Sequence, residues 1–187
     1  MKSSTGLSFL FSLLGGVCLL LCAVACKKDE ATSTYSQKYP AFISLSMAEY
    51  AELPSALSQG TFVTIRRQTV EGGTKITISN GVSSNSYPLT KADNESFRFG
   101  LGGFIIGTNY MGEPLAYDLS CPNCDRTEYR LTVATDGTCR CSHCHIVYDL
   151  NNYGFISSTE GNTIHATPRG LYRYHVDLTF STAHVYN

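Results

Sequence analysis

The stretch "CPNCDRTEYRLTVATDGTCRCSHCH", residues 121–145, carries five cysteines and two histidines. Its sulfurs fall into two C-x2-C pairs, Cys121/Cys124 and Cys141/Cys144, with sixteen residues between them. Two such knuckles at the ends of a β-hairpin can aim four thiolates at one centre, the arrangement tetrahedral zinc uses. Pro122 stiffens the first knuckle, and Asp136-Gly137 is turn chemistry that lets the strands return to meet the second. The same spacing admits two local disulfides, or one crossed pair, if the protein meets oxidants. His143 and His145 flank Cys144 and read first as exposed polar side chains on a tight knuckle, with replacing a thiolate or bonding to a sulfur from outside the ligand set as the alternative. Cys139 is the odd sulfur, a buried spare or half of an intermolecular bridge.

The compartment follows from the other end of the chain. Lys2 precedes an uncharged run from Leu7 to Ala25, which ends abruptly at Lys27, Lys28, Asp29 and Glu30. A positive start, an apolar middle and small residues before a break describe an export signal. "AVAC" (23–26) resembles a bacterial lipobox, which makes Cys26 the expected lipidation site and residues 1–25 a lipoprotein signal peptide. Cleaved soluble export and an uncleaved anchor remain the alternatives, because roughly 20 apolar residues also suffice to span a bilayer. Residues 26–39, polar and short of large aliphatics, read as a flexible tether. Three of the eight cysteines (Cys18, Cys22, Cys26) then belong to export. The remaining five disfavour a purely disulfide framework.

The rest of the chain alternates. Segments 61–67, 74–79, 97–110, 115–120, 128–133, 146–150 and 172–180 read as strands from β-branched and aromatic content. "EGG", "SNGVSSNS", "MGEP", "ATDG" and "STEGN" between them are turns. "SMAEYAELPSAL" (46–57) offers one short turn or helix, with Ser46 as cap and Glu49 completing the capping pattern. Pro54 is expected to stop it. Gly100, Gly102 and Gly103 sit inside a strand-like run and predict a bulge or bent strand rather than a phosphate loop. His165, His175 and His184 read as ordinary histidines, and Tyr110, Tyr129, Tyr172 and Tyr174 as sheet-packing residues. The expectation is an all-β domain over 40–187, a small barrel or sandwich, with a hairpin metal-site subdomain of zinc-ribbon type at 115–150.

The segment "AYDLSCPNC … CRCSHCHIVYDLNNYGFIS … TPRGLYRYHV" resembles a Rieske domain. Tyr148, Asp149 and Leu150 are similar to the strand after the second cluster loop, and Gly154 to the turn that follows it. Pro168, Leu171 and Tyr172–Val176 are similar to the return strand. The resemblance spans roughly 40–180, with 66–96 as a hairpin insertion. It implies a [2Fe–2S] centre, electron transfer and a redox or envelope protein as partner. The chain departs from the pattern at the ligands: Asn123 stands at the first histidine position with Cys124 beside it, and Cys144 stands at the second. Four thiolates in place of two thiolates and two imidazoles shift such a cluster toward low, ferredoxin-like potentials. The N-terminus "MKSSTG" has no twin arginine, so it reads as the general secretion route, which threads unfolded chains. That route and the ligand set point to Zn²⁺, which can bind during folding.

Other function classes find little support. A net charge of −1 offers no basic stripe for nucleic acid. There is no Ser elbow, no H-E-x-x-H and no helix after Cys121 or Cys141 to lower a thiol's pKa for redox exchange. Four cysteines around zinc leave no open position for catalysis. The sequence therefore predicts a lipid-anchored envelope protein whose metal centre either carries electrons or clamps a binding module, a reading closer to a carrier or binding module than to a hydrolase or transferase.

Overall fold

A computed structural model describes residues 35–187. The expected signal peptide, Cys26 and the tether as far as Thr34 lie outside the described residues. No helix among the described residues is long and apolar enough to cross a membrane.

Among the described residues the fold has thirteen strands: β1 (Ala41–Ser46), β2 (Thr61–Val70), β3 (Gly73–Ser79), β4 (Ser84–Pro88), β5 (Arg98–Phe99), β6 (Phe104–Thr108), β7 (Pro114–Asp118), β8 (Leu131–Val133), β9 (Thr138–Cys141), β10 (Val147–Asp149), β11 (Phe155–Ser158), β12 (Arg173–Leu178) and β13 (Thr182–Tyr186). Nine form one antiparallel sheet in the order β4-β3-β2-β6-β7-β12-β13-β1-β5, and four form a second in the order β11-β10-β9-β8. The all-β class expected from the sequence is what the chain adopts.

Side chains alternate across a strand, so a strand buried on both faces reads as a continuous apolar run. That is the position of β6 and β7. Phe104, Ile106 and Ala116 point into one core, which they share with Ile43, Val63, Ile65, Ile76, Ile78, Tyr174 and Val185. Seven strands of the large sheet supply that single core, which requires the sheet to curl around it. The intervening residues, Ile105, Leu115 and Tyr117, point the other way into a second core with Leu131, Cys139, Ile146, Tyr148 and Leu150 of the small sheet. The Tyr117 hydroxyl donates to the Leu150 carbonyl at 2.8 Å and ties the two sheets together.

Several local expectations change. Ser46 ends β1 instead of capping a helix, and Pro54 lies near the start of a 3-10 turn, Leu53–Leu57, rather than stopping one. Proline's fixed φ and missing N–H suit a helix start. "SNGVSSNS" is only half turn: Ser84–Pro88 is strand β4, held in place by Glu52, which is 1% exposed and accepts from Tyr87 (2.8 Å), Ser83 (3.5 Å) and Asn85. A short helix α1 (Lys91–Ser96), capped by Thr90, follows it. The run 97–110 is not one bent strand. It breaks at Gly100–Gly103 into β5, which pairs with β1, and β6, which pairs with β2 and β7. Gly103 has φ +111, and a Cβ there would lie 2.3 Å from the Ile65 carbonyl oxygen. The loop is fastened by the buried Asp118 carboxylate, which accepts from the amides of Leu101, Gly102 and Ser120 and from the Tyr174 hydroxyl.

Candidate metal centre

The hairpin subdomain expected at 115–150 has other bounds in the structure: residues 115–118 belong to β7 of the large sheet, and the small sheet runs on through β11 to Ser158. Leu131 donates its amide to the Leu119 carbonyl (2.8 Å), and Cys121 donates to Tyr129 (2.9 Å), so the first knuckle begins where β7 ends. The 134–137 turn reverses β8 into β9, as Asp136-Gly137 predicts, with Gly137 at φ +80. The second knuckle joins β9 to β10.

The two knuckles are built alike. Asp125 donates its amide to the Cys121 carbonyl at 2.8 Å, and His145 donates to the Cys141 carbonyl at 3.0 Å. Asp125 and His145 both take left-handed backbone, φ 56 and φ 62. Within each loop the next amides point back at the first sulfur: Asn123 and Cys124 toward Cys121, His143 and Cys144 toward Cys141. Such N–H groups favour the thiolate form.

These loops bring together all four expected ligands. The Sγ atoms of Cys121, Cys124, Cys141 and Cys144 lie within 4.8 Å of one another. Cys121 and Cys144 stand 3.5 Å apart, and Cys124 and Cys141 3.8 Å. A tetrahedral ion with metal–sulfur bonds of about 2.3 Å needs sulfur–sulfur separations of about 3.8 Å. The donor set, four convergent thiols with amides aimed at two of them, fits a thiolate-bound metal. Cys121, Cys141 and Cys144 are buried and Cys124 is half-buried. The neighbouring Cys141 thiol, the Tyr148 hydroxyl and two amides pull Cys121 well below the ordinary thiol range against its burial. Burial and the adjacent Cys121 charge push Cys124 above it. Cys141 is also raised, by its hydrogen bond to Cys121 and by burial. Four close thiols cannot all ionise alone; a cation is what would let them.

The surroundings hold the first knuckle firmly. Asn123, at the position where the resemblance puts a histidine, donates to the Tyr148 hydroxyl (2.8 Å) and the Arg169 carbonyl (2.9 Å) and accepts from the Arg169 amide (2.8 Å). Arg169 also donates to the Pro122 carbonyl. Asp125 accepts from Tyr39 and Tyr172, each at 2.8 Å, and pairs with Lys38. Residues 35–39, assigned to the tether from composition, are thus part of the domain: Ser36 also donates to the Arg173 carbonyl at 2.7 Å.

His143 and His145 are both exposed on the second knuckle, as expected, and only His165 departs from its reading. His143 Nδ1 lies 3.8 Å from Cys124 Sγ, with its ring against Tyr129. His145 is exposed and makes no sulfur contact; its role is the backbone bend. His165, read as ordinary, puts Nε2 3.8 Å from Cys124 Sγ. Nothing in its local sequence signals this, because the 159–170 loop returns to the knuckle only through the tertiary fold. Cys139 sits in the second core at 1% exposure, which makes it the buried spare and not an accessible partner for another chain. Comparison with family models, curated proteins and solved structures returns no match for this chain.

Proposed function

We propose that this chain is an envelope lipoprotein, anchored through Cys26, whose Rieske-like β domain carries one tetrahedral zinc ion on Cys121, Cys124, Cys141 and Cys144. The centre is structural and the domain is a binding module. The observation that carries this reading is the compactness of the sulfurs, all within 4.8 Å of one another. A [2Fe–2S] cluster assigns two protein ligands to each of two irons. Its ligands therefore fall into two pairs separated by the cluster core, whereas a single ion gathers all four. Bound zinc would supply a closed, redox-inert cross-link between the knuckles. The protein's own part is to present thiolates: amides bond to Cys121 and Cys141, Asn123 and Arg169 fix the first loop, and Tyr148 closes over Cys121.

A second reading, [2Fe–2S]-type electron transfer, is favoured by the sequence resemblance and by Cys124. That sulfur is the half-exposed one, flanked by His143 and His165, and gives the centre an edge toward solvent. Anaerobic purification with elemental analysis, a sulfide assay and a visible spectrum on one sample separates the two. One zinc per chain and no colour supports the structural ion. Two irons with sulfide and a brown spectrum supports the electron carrier.

A further inference from the structure

The outer face of β2 and β3 meets the β8 edge across a groove of about 850 Å³. Phe62, Thr64 and Arg66 lie on one face of β2, opposite the face whose Val63 and Ile65 fill the first core. Across the groove stand Leu131 and Thr132 of β8, with Arg130 just before them. The floor is apolar, from Phe62, Leu119 and Leu131; the walls are hydroxyl-rich. The Thr61, Thr132 and Thr135 hydroxyls have no partner among the described residues.

The charge of this groove is one-sided. Arg66 and Arg130 both line it, and no Asp or Glu does. Neither guanidinium has an ion-pair partner among the described residues; Arg130 donates only to the Gly102 carbonyl, at 3.3 Å. The acids nearest Arg130 are committed elsewhere. Asp118 is buried with four donors, and Glu128 pairs with Arg126 at 2.7 Å. Burial and the charge of Arg66 work against the Arg130 cation and outweigh the favourable charges of Asp118 and Glu128, neither of which pairs with it. In a chain of net charge −1, two guanidinia lining a polar groove that no carboxylate lines form an incomplete arrangement. An oxyanion completes it, because the guanidinium fork matches carboxylate and sulfate oxygens in paired hydrogen bonds.

We propose that this groove binds an acidic sugar, a saccharide bearing a carboxylate or sulfate, with the anion between Arg66 and Arg130. Its ring hydroxyls meet the threonines and its apolar face meets the floor around Phe62. The site is remote in composition from the four-cysteine centre and does not depend on which metal that centre holds.

The test is calorimetric titration of the full chain in detergent with four probes: a galacturonic acid trimer, its methyl-ester form, a sulfated trisaccharide and sodium sulfate. One or both charged sugars bind saturably at one site, and whichever binds identifies the anion. The neutral ester binds about tenfold more weakly or worse, as loss of a charge-assisted pair requires. Arg66→Gln and Arg130→Gln each weaken the charged sugar by about tenfold, and Lys91→Gln, on the exposed helix α1 outside the groove, changes nothing. The Arg66 side chain makes no hydrogen bond among the described residues, so Arg66→Gln tests the site even if Arg130→Gln unfolds. Absence of saturable binding by both sugars overturns the proposal. So does binding that survives Arg66→Gln, or sulfate alone binding as tightly as the sugars.

Discussion

Asp125 and His145 occupy the same place in two separate loops. Each follows the second cysteine of its knuckle in left-handed backbone, and each returns its amide to the carbonyl of the first cysteine, at 2.8 and 3.0 Å. The centre is therefore two copies of one local structure facing each other, and the copies differ in what the left-handed residue does with its side chain.

That difference predicts opposite outcomes for one substitution. His145 is exposed and its side chain makes no hydrogen bond to the domain, so His145→Gly relieves the left-handed strain. The gain is at most about 1 kcal/mol, since glycine also loosens the unfolded chain. Asp125→Gly relieves the same strain but forfeits the bonds to Lys38, Tyr39 and Tyr172, and so destabilises by about 1–3 kcal/mol. Urea unfolding of the two variants checks this; equal effects of the same sign would show that the Asp125 network contributes nothing.

Removing individual sulfurs separates ligands from packing. Cys141→Ser leaves the centre with three thiolates and should lose metal and cooperative unfolding together. Cys139→Ala removes only a buried core atom. It should keep full metal content and unfold with a loss of about 1–2 kcal/mol. Metal analysis beside a thermal melt gives both readouts, and equal metal loss in the two variants would overturn the ligand assignment.

The Glu52 carboxylate predicts an acid-side stability change. Burial acts to raise its pKa, but the bonds from Tyr87, Asn85 and its other donors outweigh this, so the folded group titrates below the ordinary glutamate range. A depressed folded value means the stabilisation is complete above the unfolded value of about 4.3 and is lost as pH falls through the folded one. Melting temperature followed from pH 7 downward should fall less steeply below that value in Glu52→Gln than in the wild type. Identical slopes would remove Glu52 from the account of how β4 is held.

Gly154 tests the packing of the second core. It has φ +73, and a Cβ would lie 2.8 Å from both Leu171 Cβ and Tyr117 Cε1. Gly161 shares the left-handed backbone, φ +80, but its nearest neighbour is His145 at 3.5 Å. Gly154→Ala should therefore cost about 2–4 kcal/mol and Gly161→Ala about 1 kcal/mol, the strain alone. Similar losses in the two would mean that the Leu171–Tyr117 contact yields freely.

The four ligands were legible in the sequence because C-x2-C spacing is local and the Asp136-Gly137 turn declares the hairpin between them. The two-sided burial of β6 was legible only as an apolar run. "FIIGT" announces a strand without saying that Phe104 and Ile105 serve different cores. The first and last strands were harder. "AFISLS" and "TAHVY" are short, and β1 and β13 are set by pairing with each other across the length of the chain, from Phe42–Tyr186 to Ser46–Thr182. The loop at Gly100–Gly103 depends on Asp118, and the approach of His165 to Cys124 depends on the 159–170 return. Neither relation has a sequence period to reveal it. The ordering of Lys38 and Tyr39 was hidden for a related reason: a polar composition predicts a tether until an acid such as Asp125 is brought within reach.

The central claim is that the four cysteines hold one ion, and X-ray absorption at the metal edge of the anaerobically purified full chain tests it most directly. The account predicts a zinc edge with a single shell of four sulfurs at about 2.3 Å and no metal–metal scattering. An iron edge with a second iron in the scattering, or a zinc shell containing nitrogen or oxygen, would contradict it.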